Sequence, residues 1–170
     1  MFKITQHQYD IIMHQVQSCY PQETGGFLGG LEDKILGVLP VPNKVVGGEG
    51  NDEFGLWDED FTRAHLFFDK HKLKLLGVYH SHPAGVALPS DQDIKATYQK
   101  QMRFMFIVGL ADRYNPDLRA FLLYRGIEEI PIQVVSDSGT EVLDLYSSGD
   151  RKIKLTPEKL HNFHEYIKQV

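Results

Sequence analysis

Between Tyr79 and Asp93 the chain reads Tyr-His-Ser-His-Pro, then six residues, then Ser-Asp-Gln-Asp, and no other stretch restricts its fold as much. Lys72 to His82 is predicted as a strand. Ser90-x-x-Asp93 has the pattern of a capping box that opens a helix. Pro83, Gly85 and Pro89 lie between them, so the strand has to end close to where the helix begins. Side chains alternate along a strand, which puts His80 and His82 on one face. Asp93, in the first helical turn, can return to the same spot. His-x-His alone is common by chance, and Ser-x-x-Asp alone is a helix start; the two within fourteen positions point to a metal. Two imidazoles and one carboxylate leave a fourth tetrahedral position for water, the ligand set of a catalytic rather than a closed structural zinc, one ion per chain. Bound zinc lowers the pKa of its water toward ~7.

The remaining elements read from their periodicity. Thr5 and Gln8 open a first helix with Tyr9, Ile12, Met13 and Val16 on one apolar face, and Pro21 ends it. Glu23 to Leu31 is glycine-rich and apolar, a strand that other backbone approaches closely. Lys34 to Val41 pairs with it as a hairpin through Glu32-Asp33. Asn43 to Gly55 is a glycine-rich loop, read as a mobile element. Asp58 caps a second helix carrying Phe61, Ala64 and Phe68, and Trp57 beside the loop is read as core. Phe104 to Leu110 is a strand buried on both faces. Arg119 to Tyr124 is a further strand, and Ile130 to Val135 the last of the core. Thr156-Pro157 opens a terminal helix with Leu160, Phe163, Ile167 and Val170 as its stripe. The division is therefore a domain over residues 1–135 and a C-terminal extension over 136–170.

The chain has 170 residues, a length suited to one domain, and a formal net charge of -5. It lacks the broad basic footprint of a nucleic-acid binder, so no nucleic acid is expected as partner. A single cysteine, Cys19, excludes an internal disulfide and fits a reducing compartment. Cys19 is read as a small buried apolar residue. No apolar run reaches the roughly 20 residues needed to cross a bilayer, and no signal peptide is visible. These features give the expectation of a cytoplasmic protein without a membrane partner.

The motif resembles that of the JAMM (JAB1/MPN/Mov34) metalloprotease family, whose signature is an upstream Glu, then His-Ser/Thr-His-Pro, six residues, Ser, two residues and Asp. Here these are Glu23, His80-Ser81-His82-Pro83, Ser90 and Asp93, with no departure. The segment Glu23-Thr24-Gly25-Gly26-Phe27-Leu28-Gly29-Gly30 also resembles the family's Glu-bearing strand. The resemblance covers residues 1–135 in element order. It implies an α/β (α+β) fold, a curved mixed sheet flanked by helices as in cytidine-deaminase-like MPN domains, here with a helical appendage. It implies zinc on His80, His82 and Asp93. It implies that Glu23 moves the proton and that Ser90 hydrogen-bonds the water or the developing oxyanion. With no large insertion, the chain resembles the compact prokaryotic members, whose expected substrates are ubiquitin-like or sulfur-carrier proteins cut after a C-terminal Gly-Gly. Peptidase and isopeptidase action stay open, as does a homodimer. Two rivals remain: a non-catalytic scaffold of the same fold, and a RadC-like, nucleic-acid-associated protein. The latter group usually has Asn where this chain has Ser81.

Overall fold

The computed structural model describes residues 1–43, 54–144 and 151–154. The elements run β1 (Phe2–Thr5), α1 (Gln6–Cys19), β2 (Gly25–Leu31), β3 (Lys34–Val41), α2 (Asp58–Lys70), β4 (Lys74–His82), α3 (Asp91–Lys100), β5 (Phe104–Gly109), β6 (Asp117–Leu122), β7 (Glu128–Ile130), β8 (Ile132–Val135), β9 (Glu141–Asp144) and β10 (Arg151–Lys154). Eight strands form one mixed sheet in the order β7-β6-β5-β4-β2-β3-β1-β8, and β9 and β10 form a separate antiparallel pair. This is the α+β architecture expected, with the hairpin of β2 and β3 where the turn signal put it.

The strand expected over Ile130 to Val135 is broken at Pro131. β7 pairs with β6 on one edge, while β8 pairs in parallel with β1 on the other. One residue separates two strands at opposite edges, so the sheet must curl until its edges meet. Proline has no N–H for the ladder, which makes it a natural break point. The Pro131 carbonyl accepts from the Phe2 amide at 2.8 Å, and this bond helps to join the edges.

Curling gives the sheet an enclosed inner face and an outer face. α1 fills the inner face with Ile11, Ile12, Met13 and Val16, packed on Phe2, Leu28, Tyr79 and Phe106. Its start is fixed by Thr5 Oγ1, which accepts from the Gln8 amide at 3.2 Å. α2 covers the outer face with Ala64 and Phe68 against Phe27 and Val78. The glycines of β2 permit this closeness. A Cβ on Gly29 would lie 2.2 Å from the Phe68 ring, and one on Gly25 would lie 2.1 Å from the Tyr79 carbonyl oxygen.

Three single-residue expectations are corrected. Trp57 is 60% exposed rather than core, because it stands at the N-cap of α2, where its amide donates to Asp60 Oδ2 at 2.9 Å. The helix therefore begins with Asp60 reaching back to residue 57 rather than with a cap from Asp58. Cys19, in the last turn of α1, is half-buried. Val142 and Leu143 of β9 are buried, Leu143 with Phe68, and the Asp137 carboxylate accepts from the His7 amide at 2.8 Å. The loop segment 44–53 and the terminal helix over 156–170 lie outside the described residues.

Candidate metal centre

β4 carries Val78, His80 and His82 on its outer face and Tyr79 and Ser81 on its inner face. The register of β4 with β2 and β5 puts His80 between Gly25 and Ile107, so its imidazole rises from the middle of the sheet. His80 is 4% exposed, and the Phe54 ring stacks on it at 6.3 Å between centroids with a 7° interplanar angle. Gly25 makes room for that ring: a Cβ there would stand 2.9 Å from Phe54. His82 ends the strand, and its Nδ1 lies 3.2 Å from the Val86 carbonyl oxygen. A carbonyl only accepts, so in the neutral ring Nδ1 carries the proton and Nε2 offers its lone pair to the cluster.

α3 brings the third residue of the cluster. Ser90 Oγ accepts from the Asp93 amide at 3.2 Å, and Asp93 Oδ2 accepts from the Ser90 amide at 2.7 Å. Asp93 thus closes the capping box and faces His80 and His82 with the same carboxylate. Asp93 Oδ1 lies 3.0 Å from His80 Nε2, and Oδ2 lies 3.3 Å from His82 Nε2. The two imidazole nitrogens are 3.0 Å apart. Taken one donor atom each, the three residues converge within 4.8 Å.

These separations fit one small cation. Donors around a tetrahedral zinc with bonds of ~2.0–2.1 Å stand about 3.3 Å from one another. Two neutral imidazole lone pairs at 3.0 Å would repel unless a proton or a metal ion lay between them. Electrostatics agree. Burial opposes ionisation of Asp93, yet hydrogen bonds from His80 and His82, followed by the charge on His80 and the Ser90 amide, hold its carboxyl well below the usual carboxylate range. Burial also disfavours a charged His82, but the hydrogen bond and charge of Asp93, then the Val86 carbonyl and Glu23, raise it above its ordinary value. The pull that draws a proton onto His82 is equally a pull on a cation.

Glu23 stands just before β2 and is 8% exposed. Extending the pairing of Gly25 with His80 carries Glu23 alongside His82. Two bonds fix this continuation: Ser81 N donates to the Thr24 carbonyl at 2.9 Å, and Thr24 N donates to Ser81 Oγ at 3.1 Å. Asn43 adds a clamp that local sequence pattern did not reveal. Its Nδ2 donates to the Glu23 carbonyl at 3.2 Å, and its Oδ1 accepts from the Gly55 amide at 3.1 Å. Ser90 donates its hydroxyl proton to Asp93 Oδ2 at 2.7 Å, so here it orients the carboxylate. His80, His82, Ser90 and Asp93 thus meet at one end of β4, and the strand register carries Glu23 alongside His82. Among the described residues no other His, Cys, Asp or Glu group converges in this way, and no helix is long and apolar enough to cross a membrane.

The chain is similar to known proteins. The family model for prokaryotic homologs of the JAB domain matches residues 5–124. A Thermus thermophilus protein named "Probable TtuB-protein conjugate cleaving protease" is 42% identical over 111 residues, covering 64% of this chain and 66% of that protein. The desampylase of Pyrococcus furiosus is 30% identical over 92 residues, covering 54% and 63%. The chain therefore spans slightly under two thirds of the length of these curated relatives. Among solved structures, a protein from Desulfitobacterium hafniense has a TM-score of 0.70 at 25% identity, covering 80% of this chain and 94% of that one. A JAB1/MPN domain protein from Archaeoglobus fulgidus shares the fold with a TM-score of 0.53 at 21% identity, covering 79% and 97%. The match over residues 5–124 takes in every element that supplies the cluster, and the chain belongs to the family of prokaryotic JAB-domain homologs, within the JAMM (JAB1/MPN/Mov34) group.

Proposed function

We propose that the protein is a zinc-dependent hydrolase that cuts the amide or isopeptide bond after the C-terminal Gly-Gly of a ubiquitin-like or sulfur-carrier protein, acting in the cytoplasm. The observation that carries the reading is the convergence of His80, His82 and Asp93 beside Glu23. The names of the two relatives, one a conjugate-cleaving protease and one a desampylase, support the substrate class.

His80 and His82 through Nε2, and Asp93 through its carboxylate, would hold the metal. When bound there, zinc supplies Lewis acidity toward a carbonyl and makes water acidic near neutral pH. Glu23 accepts a proton from the attacking water as the C–O bond forms, and returns it to the amine nitrogen as the C–N bond breaks. Its position beside His82 suits that relay. Ser90 holds Asp93 in its ligating rotamer, and its hydroxyl would hydrogen-bond the water or the developing oxyanion. Phe54, lying over His80, keeps water from that side of the ligand.

The test is incubation of the zinc-loaded protein with carriers ending in Gly-Gly plus a C-terminal extension, and with the same carriers joined to a lysine side chain. Mass spectrometry should place the cut after the second glycine. Intact substrates with a stoichiometrically zinc-loaded protein would overturn the reading.

A further inference from the structure

We propose that an apolar pocket beside the metal cluster is a subsite for one aliphatic side chain of the carrier tail, the residue directly before its terminal glycines. This rests on the Gly-Gly reading above and adds to it a third specificity position. The pocket has a volume of about 90 Å³ and lies between α2 and α3 on the outer face of the sheet. Its walls include Phe54, Leu56, Phe61, Ala96, Met102 and Met105, and His80 and Asp93 close the side facing the cluster. Whatever enters it lies against two of the metal ligands.

Chemistry and size define the occupant. Lys100 is the one cation in the lining and is paired with Asp58, and the Asp93 carboxylate is already engaged by His80, His82 and the Ser90 amide. A charged substrate side chain would lose its hydration without gaining a free counter-charge. An apolar cavity of ~150 Å³ accommodates benzene. At about 90 Å³ this pocket is smaller, a size that suits Val, Leu or Ile better than an aromatic ring. Two methionines in the wall give it some adaptability.

Position along the substrate follows from what varies. The amine side of the bond changes from one conjugate to another, whereas the carrier tail is common to all of them. A pocket of fixed shape serves the common part. Two glycines bring no side chain, so the first residue able to fill a pocket next to the cluster is the one before them. At ~3.3 Å per extended residue it lies within reach of a cavity that touches His80.

The experiment compares tails ending X-Gly-Gly, amide-linked to a reporter amine, with X as Leu, Val, Phe, Gly, Asp or Trp. The full-length zinc-loaded protein should cleave the Leu and Val tails with kcat/KM at least about 10-fold above Gly, the low end for an apolar group filling a pocket, and Asp and Trp should fall below Leu. Ala96→Phe fills the cavity from the exposed side of α3 and should bring the Leu:Gly ratio close to one with zinc content retained. Met102→Ala enlarges the cavity and should move the preference toward Phe. A second readout needs no turnover: the methyl NMR signals of Met102 and Met105 should shift with acetyl-Leu-Gly-Gly, not with acetyl-Gly-Gly-Gly, and not in Ala96→Phe. Cleavage indifferent to X, or dependent only on the amine side, overturns the subsite and leaves the Gly-Gly reading standing. Methyl shifts specific to Leu without cleavage of any tail support the subsite and sink the Gly-Gly reading. Neither shifts nor cleavage sinks both.

Discussion

On the inner face of β4, Tyr79 and Ser81 are fully buried, packed or hydrogen-bonded into α1 and β2. One residue away on the outer face, His80 and His82 converge with Asp93 instead of packing into an apolar cluster. The strand therefore has a structural face and a chemical face separated only by side-chain alternation. Stability and reactivity should respond to different substitutions in adjacent positions. Substitutions on either face can break that separation.

Asp93→Ala removes the anionic ligand and should abolish metal retention and turnover together, while the metal-free chain still folds, since none of the apolar clusters includes a metal ligand. Elemental analysis beside circular dichroism checks this; an unfolded variant would show that the two faces are not independent. Glu23→Gln should keep zinc and lower kcat by about 10²–10⁴-fold, the usual contribution of a general acid–base group. Turnover within a few-fold of the unmodified protein removes Glu23 from the proposed relay.

Tyr79→Ala is the counterpart on the inner face. It deletes a fully buried aromatic ring, which costs about 3–5 kcal/mol, a large share of a typical 5–15 kcal/mol total. It also breaks the Tyr79 hydroxyl's hydrogen bond with Gln15, whose Nε2 holds Thr24 Oγ1 and the Gly25 carbonyl. Denaturant titration should register this loss, with zinc bound normally in the fraction that folds. Normal stability would mean that the inner face is not the structural one.

How much of this was legible in the sequence follows from distance along the chain. His80, His82, Ser90 and Asp93 fall within fourteen positions, and alternation plus a capping pattern were enough to place them together. The hairpin of β2 and β3 was legible because its turn is two residues long. Pro131 defeated the reading because apolar residues continue on both sides of it, and only the curl of the whole sheet separates β7 from β8. The Asn43 clamp and the pocket beside the cluster were invisible for a related reason. Phe54, Phe61, Ala96 and Met105 come from four separate segments, and no local pattern marks residues that meet only after folding. Trp57 misled because a large apolar residue at an N-cap has no burial requirement of its own.

Ser90→Ala separates two roles that the motif combines. If Ser90 acts through Asp93, loss of its hydroxyl should weaken zinc affinity by about 10–100-fold, the usual effect of losing an outer partner of a ligand. It should also lower stability by about 1 kcal/mol through the lost cap. If it donates to the oxyanion instead, kcat should fall by about 10²–10³-fold at saturating zinc. Metal titration followed by kinetics at full occupancy distinguishes the two.

Ser81→Ala carries the smallest expected effect on zinc and turnover and the most direct test of the separation. Ser81 lies between the two histidines in sequence, yet its hydroxyl turns inward and accepts from the Thr24 amide at 3.1 Å. Removing it leaves a buried N–H without that partner, a cost of about 1–3 kcal/mol. The Thr24 carbonyl would still accept from the Ser81 amide, so the pairing of β2 with β4 should persist and hold Glu23 near its place. Zinc affinity should be unchanged, because no hydrogen bond from Ser81 reaches His80, His82 or Asp93, and turnover should drop by no more than a few-fold. A large loss of zinc on Ser81→Ala would mean that the ligand geometry is set through the backbone of β4 as a whole. The alternation between a structural and a chemical face would then fail as the account of this strand.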